Sequence, residues 1–304
     1  MKVLVTGATG LIGQRLVKAL ADRGDQIVVL TRNVAGREAQ LLATTPGVSV
    51  EAWADAGKLV AVVETVDTIV NLAGEPIIGK RWTPEQRQVI HDSRIKATRT
   101  LGDAVQRASH KPMTVMNASA VGFYGAHGAE RLTEADPAGE DFLANVCRDW
   151  EVAASDMKST STRVIVARIG VVLAAEGGAL EQMVKPFKLF GGGPIGNGSQ
   201  WVSWIHIDDL IALMLFALDT PKVQGPLNLT APEALTNRDF SKLLGKVLHR
   251  PSWLPVPKFA LKLALGEVAE TLVTGQRVVP DVAMRLGYQF KHPDCEEALR
   301  SLLG

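Results

Sequence analysis

Eight residues near the N-terminus, Thr6-Gly7-Ala8-Thr9-Gly10-Leu11-Ile12-Gly13, constrain this chain more than any other stretch. They join a short apolar β-type run, Lys2–Thr6, directly to an amphipathic stretch, Ile12–Arg23. In that stretch Ile12, Leu16, Val17, Ala19 and Leu20 recur at helical spacing, and Gly24 closes it. The glycines follow the pattern G-x-x-G-x-x-G. Gly7 permits a positive φ in a tight turn, Gly10 lets the backbone approach a diphosphate, and Gly13 lets the helix pack on the strand. Amides at the helix start then face the anion. A glycine triplet alone is weak evidence, but one set between strand and helix predicts dinucleotide binding rather than a purely structural turn.

The rest of the first half repeats the alternation. β-type runs are expected at Gln26–Thr31, Val48–Trp53, Asp67–Leu72, Pro112–Asn117 and Arg163–Ala167, with helices at Ile90–Arg107 and around Asp149–Met157. Strands spaced by helices imply an α/β fold, a Rossmann-type doubly wound parallel sheet with right-handed crossovers. After Gly170 the texture changes. A glycine-rich, loop-like stretch holding Gly177-Gly178, Gly191–Gly193, Trp201 and Trp204 precedes helical patterns at Ile207–Leu218, Asn237–Leu248, Lys258–Leu272 and Asp294–Leu303. The expected organisation is a dinucleotide-binding domain over residues 1–170, with a returning segment near 205–230. A second, smaller, mostly helical C-terminal domain would take 171–204 and 231–304.

Composition removes several classes. The net charge is +1 with no basic stripe, so no nucleic-acid partner is expected. The longest apolar run, Leu210–Leu218, falls well short of the roughly 20 residues that span a bilayer. The N-terminal run breaks at Thr6-Gly7 before a leader's apolar core could form, so no membrane partner or secretory leader is expected. Cys147 and Cys295 form no C-x-x-C, and the six histidines show no i, i+4 pair, so neither a disulfide framework nor a bound metal is expected. A cytoplasmic location follows as an expectation.

Two later segments bear on the ligand. An NAD site expects Asp or Glu about 20 residues past the glycines, on the ribose 2′-hydroxyl. Here the second strand ends Val29-Leu30-Thr31-Arg32, where a guanidinium suits a 2′-phosphate and a carboxylate would repel it. NADP(H) is therefore the expected cofactor; a solvated strand end is the plain alternative for Arg32. Asn71-Leu72-Ala73-Gly74 brings small residues to the ligand edge of the sheet. Gly74–Arg81 imitates a phosphate-binding P-loop, but Arg81 replaces the magnesium-binding hydroxyl and Pro76 removes an amide.

With these residues in view, the chain resembles the extended short-chain dehydrogenase/reductases, in the atypical branch known as the NAD(P)-dependent epimerase/dehydratase-like epimerase family. The marks are Thr6–Gly13, Asn71–Gly74 followed by Lys80-Arg81-Trp82, Ser93-Arg94 with Thr98, Ser119–Gly125, and Gly191–Gly196 followed by Trp204–Asp209. The resemblance covers nearly the whole chain, including that branch's small C-terminal domain. It implies that Gly7, Thr9, Gly10, Leu11, Ile12 and Gly13 hold the pyrophosphate, and that Thr31 and Arg32 hold the adenosine phosphate. It places Leu72 and Ala73 on the adenine-ribose side, Gly74 and Arg94 near the cofactor, and the Val172 backbone at the nicotinamide. A homodimer through helices such as Ile90–Arg107 is left open.

The catalytic pattern departs from the resemblance. The superfamily uses a Tyr, its pKa lowered from about 10 by a Lys four residues on, to move a proton while the nicotinamide moves a hydride. Neither tyrosine qualifies, since Tyr124 is followed at i+4 by Gly128 and Tyr288 by His292. Phe142 and Val146 stand where the pair should fall, and the usual hydroxyl position falls on Ala120. Ser119, one residue off, is the catalytic candidate, although such a displacement turns a strand side chain to the other face. Tyr124 and His206 read as packed structural groups, and Trp201 and Trp204 as either substrate walls or core. Two functions follow. One is an NADP-dependent oxidoreductase or epimerase acting on a small carbonyl, alcohol or sugar-like substrate. The other is an NADPH-binding redox sensor without chemistry of its own.

Overall fold

The structure, a computed structural model, describes residues 1–53, 56–256, 266 and 273–304. The first half runs β1 (Lys2–Thr6), α1 (Leu11–Asp22), β2 (Gln26–Thr31), α2 (Arg37–Ala43), β3 (Val48–Ala52), α3 (Ala56–Val63), β4 (Thr68–Asn71), α4 (Pro84–Arg107) and β5 (Thr114–Ala120). It continues through a 3-10 turn at Val121–Tyr124, β6 (Arg131–Leu132), α5 (Phe142–Ser155), β7 (Arg163–Ile169), β8 (Val171–Leu173) and α6 (Gly178–Lys188). Then follow β9 (Trp201–Val202), β10 (Trp204–His206), α7 (Ile207–Asp219), β11 (Gly225–Leu229), β12 (Leu235–Thr236) and α8 (Asn237–Leu248). After β13 (Arg277–Val278) come short α9 (Asp281–Arg285) and terminal α10 (Cys295–Leu303).

Among the described residues, seven strands form one parallel sheet in the order β11-β7-β5-β4-β1-β2-β3. The order reverses between β1 and β4, so the carboxyl ends there open a crevice, the usual ligand position in such sheets. The strands are near-continuous apolar runs because helices cover both faces. Val3, Val5 and Val29 pack with α1 and α7 on one face. Leu4, Val28, Ile69 and Val115 pack with α3, α4 and α5 on the other, as the two-residue strand period dictates. Each such side chain contributes about 1.5–3 kcal/mol on full burial. A separate core joins α6, α8 and α10 through Phe187, Phe240, Leu244 and Leu299, making the C-terminal region helical.

The expected doubly wound sheet is present, with local corrections. Pro84 and Phe142 start two helices earlier than their periodicity predicts, because caps set the boundaries. The Thr83 hydroxyl accepts from the Gln86 amide at 3.2 Å, and Asp141 accepts from the Ala144 amide at 2.9 Å. The stretch after Gly177 is helix α6 rather than loop, β11 adds a strand beyond the six expected, and α2 and α3 fill two connections. The helix expected over Lys258–Leu272 lies outside the described residues. No described helix is long and apolar enough to cross a membrane.

Candidate functional site

At the switch point, β1 turns through Gly7 (φ +68°) into α1, whose N-cap is Gly10 with extended backbone and no capping side chain. The first amides of α1 are therefore free for a ligand, and no acidic residue occupies the first turn. A Cβ built on Gly7 would lie 2.5 Å from the Leu72 carbonyl oxygen, and one on Gly13 would lie 2.3 Å from the Gly7 carbonyl oxygen. Those two glycines are demanded by the protein's own packing. Gly10 is different: its Cβ would meet only the Gly7 carbonyl oxygen, at 3.4 Å, and would otherwise fill the cleft. A dinucleotide diphosphate fits that space, which the sequence keeps clear.

This cleft, about 250 Å³, gathers Gly7, Gly10, Leu11, Ile12, Gly13, Leu72 and Val172 from the sequence-derived set. Gly178 and Ala179 at the start of α6 face them, so a second helix N-terminus with an uncapped glycine, Gly177, closes the opposite wall. Arg15 of α1 pairs with Glu176 beside it. The sequence reading missed that wall because a glycine-rich segment looked like loop. Thr9, Thr31, Arg32, Ala73 and Gly74 do not line the cleft. Thr9 accepts from the Gln14 side chain at 2.8 Å through its carbonyl, and the Ala73 amide donates to Asn71 Oδ1 at 3.3 Å. Thr31 and exposed Arg32 end β2, with the Thr31 hydroxyl accepting from the Asn33 amide at 3.2 Å.

Ile12, Leu72 and Val172 are shared with a deeper chamber of about 290 Å³ between α4, α5 and the ends of β5 and β7. A buried polar lattice lies next to it and meets it at Trp150. Asn71 accepts from the Thr6 hydroxyl at 2.6 Å and donates to Asn117 Oδ1 at 2.6 Å and to the Thr98 hydroxyl at 2.9 Å. The Trp150 indole also donates to Thr98, at 2.9 Å. Arg94 enters the chamber beside Gly74, its Nη1 donating to the carbonyls of Glu75 and Ile90 at 2.9 Å each. Burial lowers its pKa. The Glu75 carboxylate is held below its ordinary range, foremost by a 2.7 Å bond from Lys80.

Ser119 also lines the chamber, but its hydroxyl proton goes to Glu151 Oε1 at 2.6 Å. Arg168 clamps both oxygens of that carboxylate at 2.9 Å, a bidentate pair whose side chains are 5% and 13% exposed. Sequence reading missed this pair, since Glu151 and Arg168 sit on separate elements and carry no local pattern. Val146 lines the chamber and Phe142 packs edge-on against Trp82 at 5.3 Å, so the positions of the usual tyrosine and lysine are apolar in space as in sequence. Cys147 lies alongside, its thiol pushed up to about 11 by burial.

Other candidates are structural. The Tyr124 hydroxyl donates to Asn228 Oδ1 at 2.7 Å and accepts from Arg168 at 2.9 Å, and burial raises its pKa to about 12. Trp204 is core, its indole donating to the Glu233 carbonyl at 2.9 Å, while Trp201 is half-buried under Arg277. His206 is 3% exposed and caps α7, its Nδ1 accepting from the Asp208 amide at 3.0 Å. Burial first, then His292, lower its pKa to about 4. His206, Asp208 and His292 bring ligand atoms within 4.8 Å, yet the two imidazoles stack at 3.9 Å and Nδ1 already serves the helix cap.

Comparison with known proteins gives the family. Residues 3–229 match the NAD dependent epimerase/dehydratase family, and residues 256–302 match a domain of unknown function (DUF1731). The chain is 43% identical over its full length to an Arabidopsis thaliana protein, the epimerase family protein SDR39U1 homolog, chloroplastic, of which it covers 87%. It is 34% identical to the human epimerase family protein SDR39U1 (isoform 2), crystallised with NADPH, at a TM-score of 0.89 and 99% coverage of both chains. A nucleoside-diphosphate sugar epimerase structure from Corynebacterium glutamicum is 31% identical at a TM-score of 0.78, with all of this chain matching 58% of that one. On sequence and architecture together, this chain belongs to the NAD dependent epimerase/dehydratase family.

Proposed function

We propose that this chain binds NADP(H) across the switch-point crevice and uses it on a small carbonyl, alcohol or sugar-like substrate in the deeper chamber. The observation that carries the reading is Gly10, a glycine that packing does not require and that keeps the cleft clear above uncapped helix amides. The human relative's NADPH supports the same choice. Gly7, Thr9, Gly10, Leu11, Ile12 and Gly13 would hold the pyrophosphate, and Thr31 and Arg32 the 2′-phosphate. Leu72 and Ala73 would face the adenine-ribose, with Gly74 and Arg94 near the cofactor and the Val172 backbone at the nicotinamide. When bound, the cofactor supplies or accepts a hydride. Residues 171–204 and 231–304 would form the substrate-side lobe, leaving 1–170 and about 205–230 as the dinucleotide-binding part.

Ser119 would be the proton-handling group. Its proton already points to Glu151, so it would accept from a substrate hydroxyl while passing its own proton on to the carboxylate. Titration of nicotinamide fluorescence with NADPH and NADH tests the binding reading: NADPH must bind more tightly. A second reading, an NADPH-binding sensor without chemistry, draws on the apolar Phe142 and Val146 positions. NADPH binding with no oxidation across a panel of carbonyls and sugars would favour it.

A further inference from the structure

Resting on that reading, the geometry points to a narrower substrate class: a small acid with a ring-sized apolar body, its carboxylate held by Arg94, rather than the sugar of a nucleoside diphosphate. The walls around Arg94 are apolar, with Ile77, Ile90, Leu143, Val146 and Trp150 among them. Arg94 is the one charged side chain among the described lining residues. Among the described residues its two hydrogen bonds leave from Nη1 and end on neutral carbonyls, which satisfy N–H groups without balancing the charge. The Glu75 carboxylate bonds Lys80 and acts on Arg94 through space alone, and the Trp150 ring lies 5.2 Å from the guanidinium carbon. A guanidinium presents five N–H donors in a planar fork that matches a carboxylate. Among the described residues, Nε and Nη2 thus remain for an anion in a chamber that otherwise offers little to one.

Sugar hydroxyls fit the same walls poorly. Ser119 offers a lone pair for one substrate hydroxyl, its own proton being committed to Glu151. The Cys147 thiol, with its raised pKa, is a weak donor. The remaining hydroxyls of a hexose would be buried against aliphatic carbon without partners, which is costly. An apolar acid with a single reacting oxygen asks only for Arg94, Ser119 and the hydrocarbon wall.

The test uses the full chain with and without saturating NADP⁺, titrated with 2-naphthoate, its neutral isostere 2-naphthamide, and UDP-glucose. Calorimetry and tryptophan fluorescence are read together. Saturable binding of 2-naphthoate is expected, with quenching that Trp150→Phe removes while the calorimetric signal persists. Arg94→Met should weaken 2-naphthoate roughly tenfold or more, the usual loss for a charge-assisted pair, and leave 2-naphthamide within about threefold. Leu143→Trp, which fills the chamber, should abolish both and serves if Arg94→Met fails to fold. UDP-glucose binding tighter than 2-naphthoate, or equal losses of acid and amide in Arg94→Met, overturns the inference. NADPH affinity is measured separately by nicotinamide fluorescence. Its absence would sink the cofactor reading, while naphthoate binding without NADP⁺ would still support the chamber's preference.

Discussion

Replacing Gly10 by Ala separates a glycine kept for a ligand from one kept for packing. Gly10 has φ −81° and ψ 169°, a conformation open to alanine, and the added Cβ meets only the Gly7 carbonyl oxygen at 3.4 Å. Alanine is a poorer N-cap than glycine by up to about 1 kcal/mol. The stiffer unfolded chain returns about 0.4–1 kcal/mol, so stability should stay within about 1 kcal/mol. That corresponds to a Tm shift of no more than roughly 3 °C. The same methyl projects into the cleft, where on the proposed reading it would come between the helix amides and the diphosphate. Losing one charge-assisted hydrogen bond there costs about 1.5–3 kcal/mol, or roughly 10- to 150-fold in Kd for NADPH. Gly13→Ala provides the contrast. Its Cβ would lie 2.3 Å from the Gly7 carbonyl oxygen and 2.5 Å from Ala8 Cα, both backbone atoms, so Tm should fall by roughly 5 °C or more. Nicotinamide fluorescence and thermal melts on the same preparations decide it. A Gly10→Ala protein that melts normally and binds NADPH unchanged would refute the assignment of the loop.

Further expectations concern charge and burial. Arg32→Asp should weaken NADPH roughly tenfold or more at low salt and narrow its advantage over NADH; unchanged preference would remove Arg32 from the 2′-phosphate. Tyr124→Phe strands Asn228 and one Arg168 donor, so it should cost about 1–3 kcal/mol in urea unfolding while sparing NADPH affinity. His206, with a pKa of about 4 against an ordinary 6.5, is neutral when folded, so the unfolded chain binds more protons between those values. Its contribution is complete above pH 6.5 and is lost as pH falls toward 4, about 3 kcal/mol in all. Buried Glu134, its pKa raised by burial, pulls the other way. Melts of the wild type against His206→Asn, which keeps a capping oxygen, should isolate the histidine slope; parallel curves would dismiss it.

The opening β1–loop–α1 unit was legible because its determinants lie within about a dozen residues. Glycine conformation, apolar period and helix start are local properties, written wherever backbone and side chain decide them together. The parallel sheet followed for the same reason, since each buried strand carries its own apolar run. Boundaries were less legible: Thr83 and Asp141 set helix starts through single capping bonds that periodicity cannot sense. Helix α6 was hidden by Gly177 ahead of it, Gly178 at its start and Pro186 inside it, yet its burial of Leu180, Val184 and Phe187 outweighs those breakers.

The chamber is another matter. Arg94, Ser119, Val146 and Trp150 come from three elements, and their meeting depends on α4 and α5 docking side by side on one face of the sheet at β5. The fate of the Ser119 proton depends on Glu151, 32 residues away, and on Arg168 beyond it. A side chain's type is fixed locally, but its partner and its exposure are fixed by which surfaces the folded core brings into contact. Hence the chain's own order of residues announced the glycine turn at the switch point, whereas packing alone gathered the apolar walls and the one guanidinium among the described lining residues of the chamber.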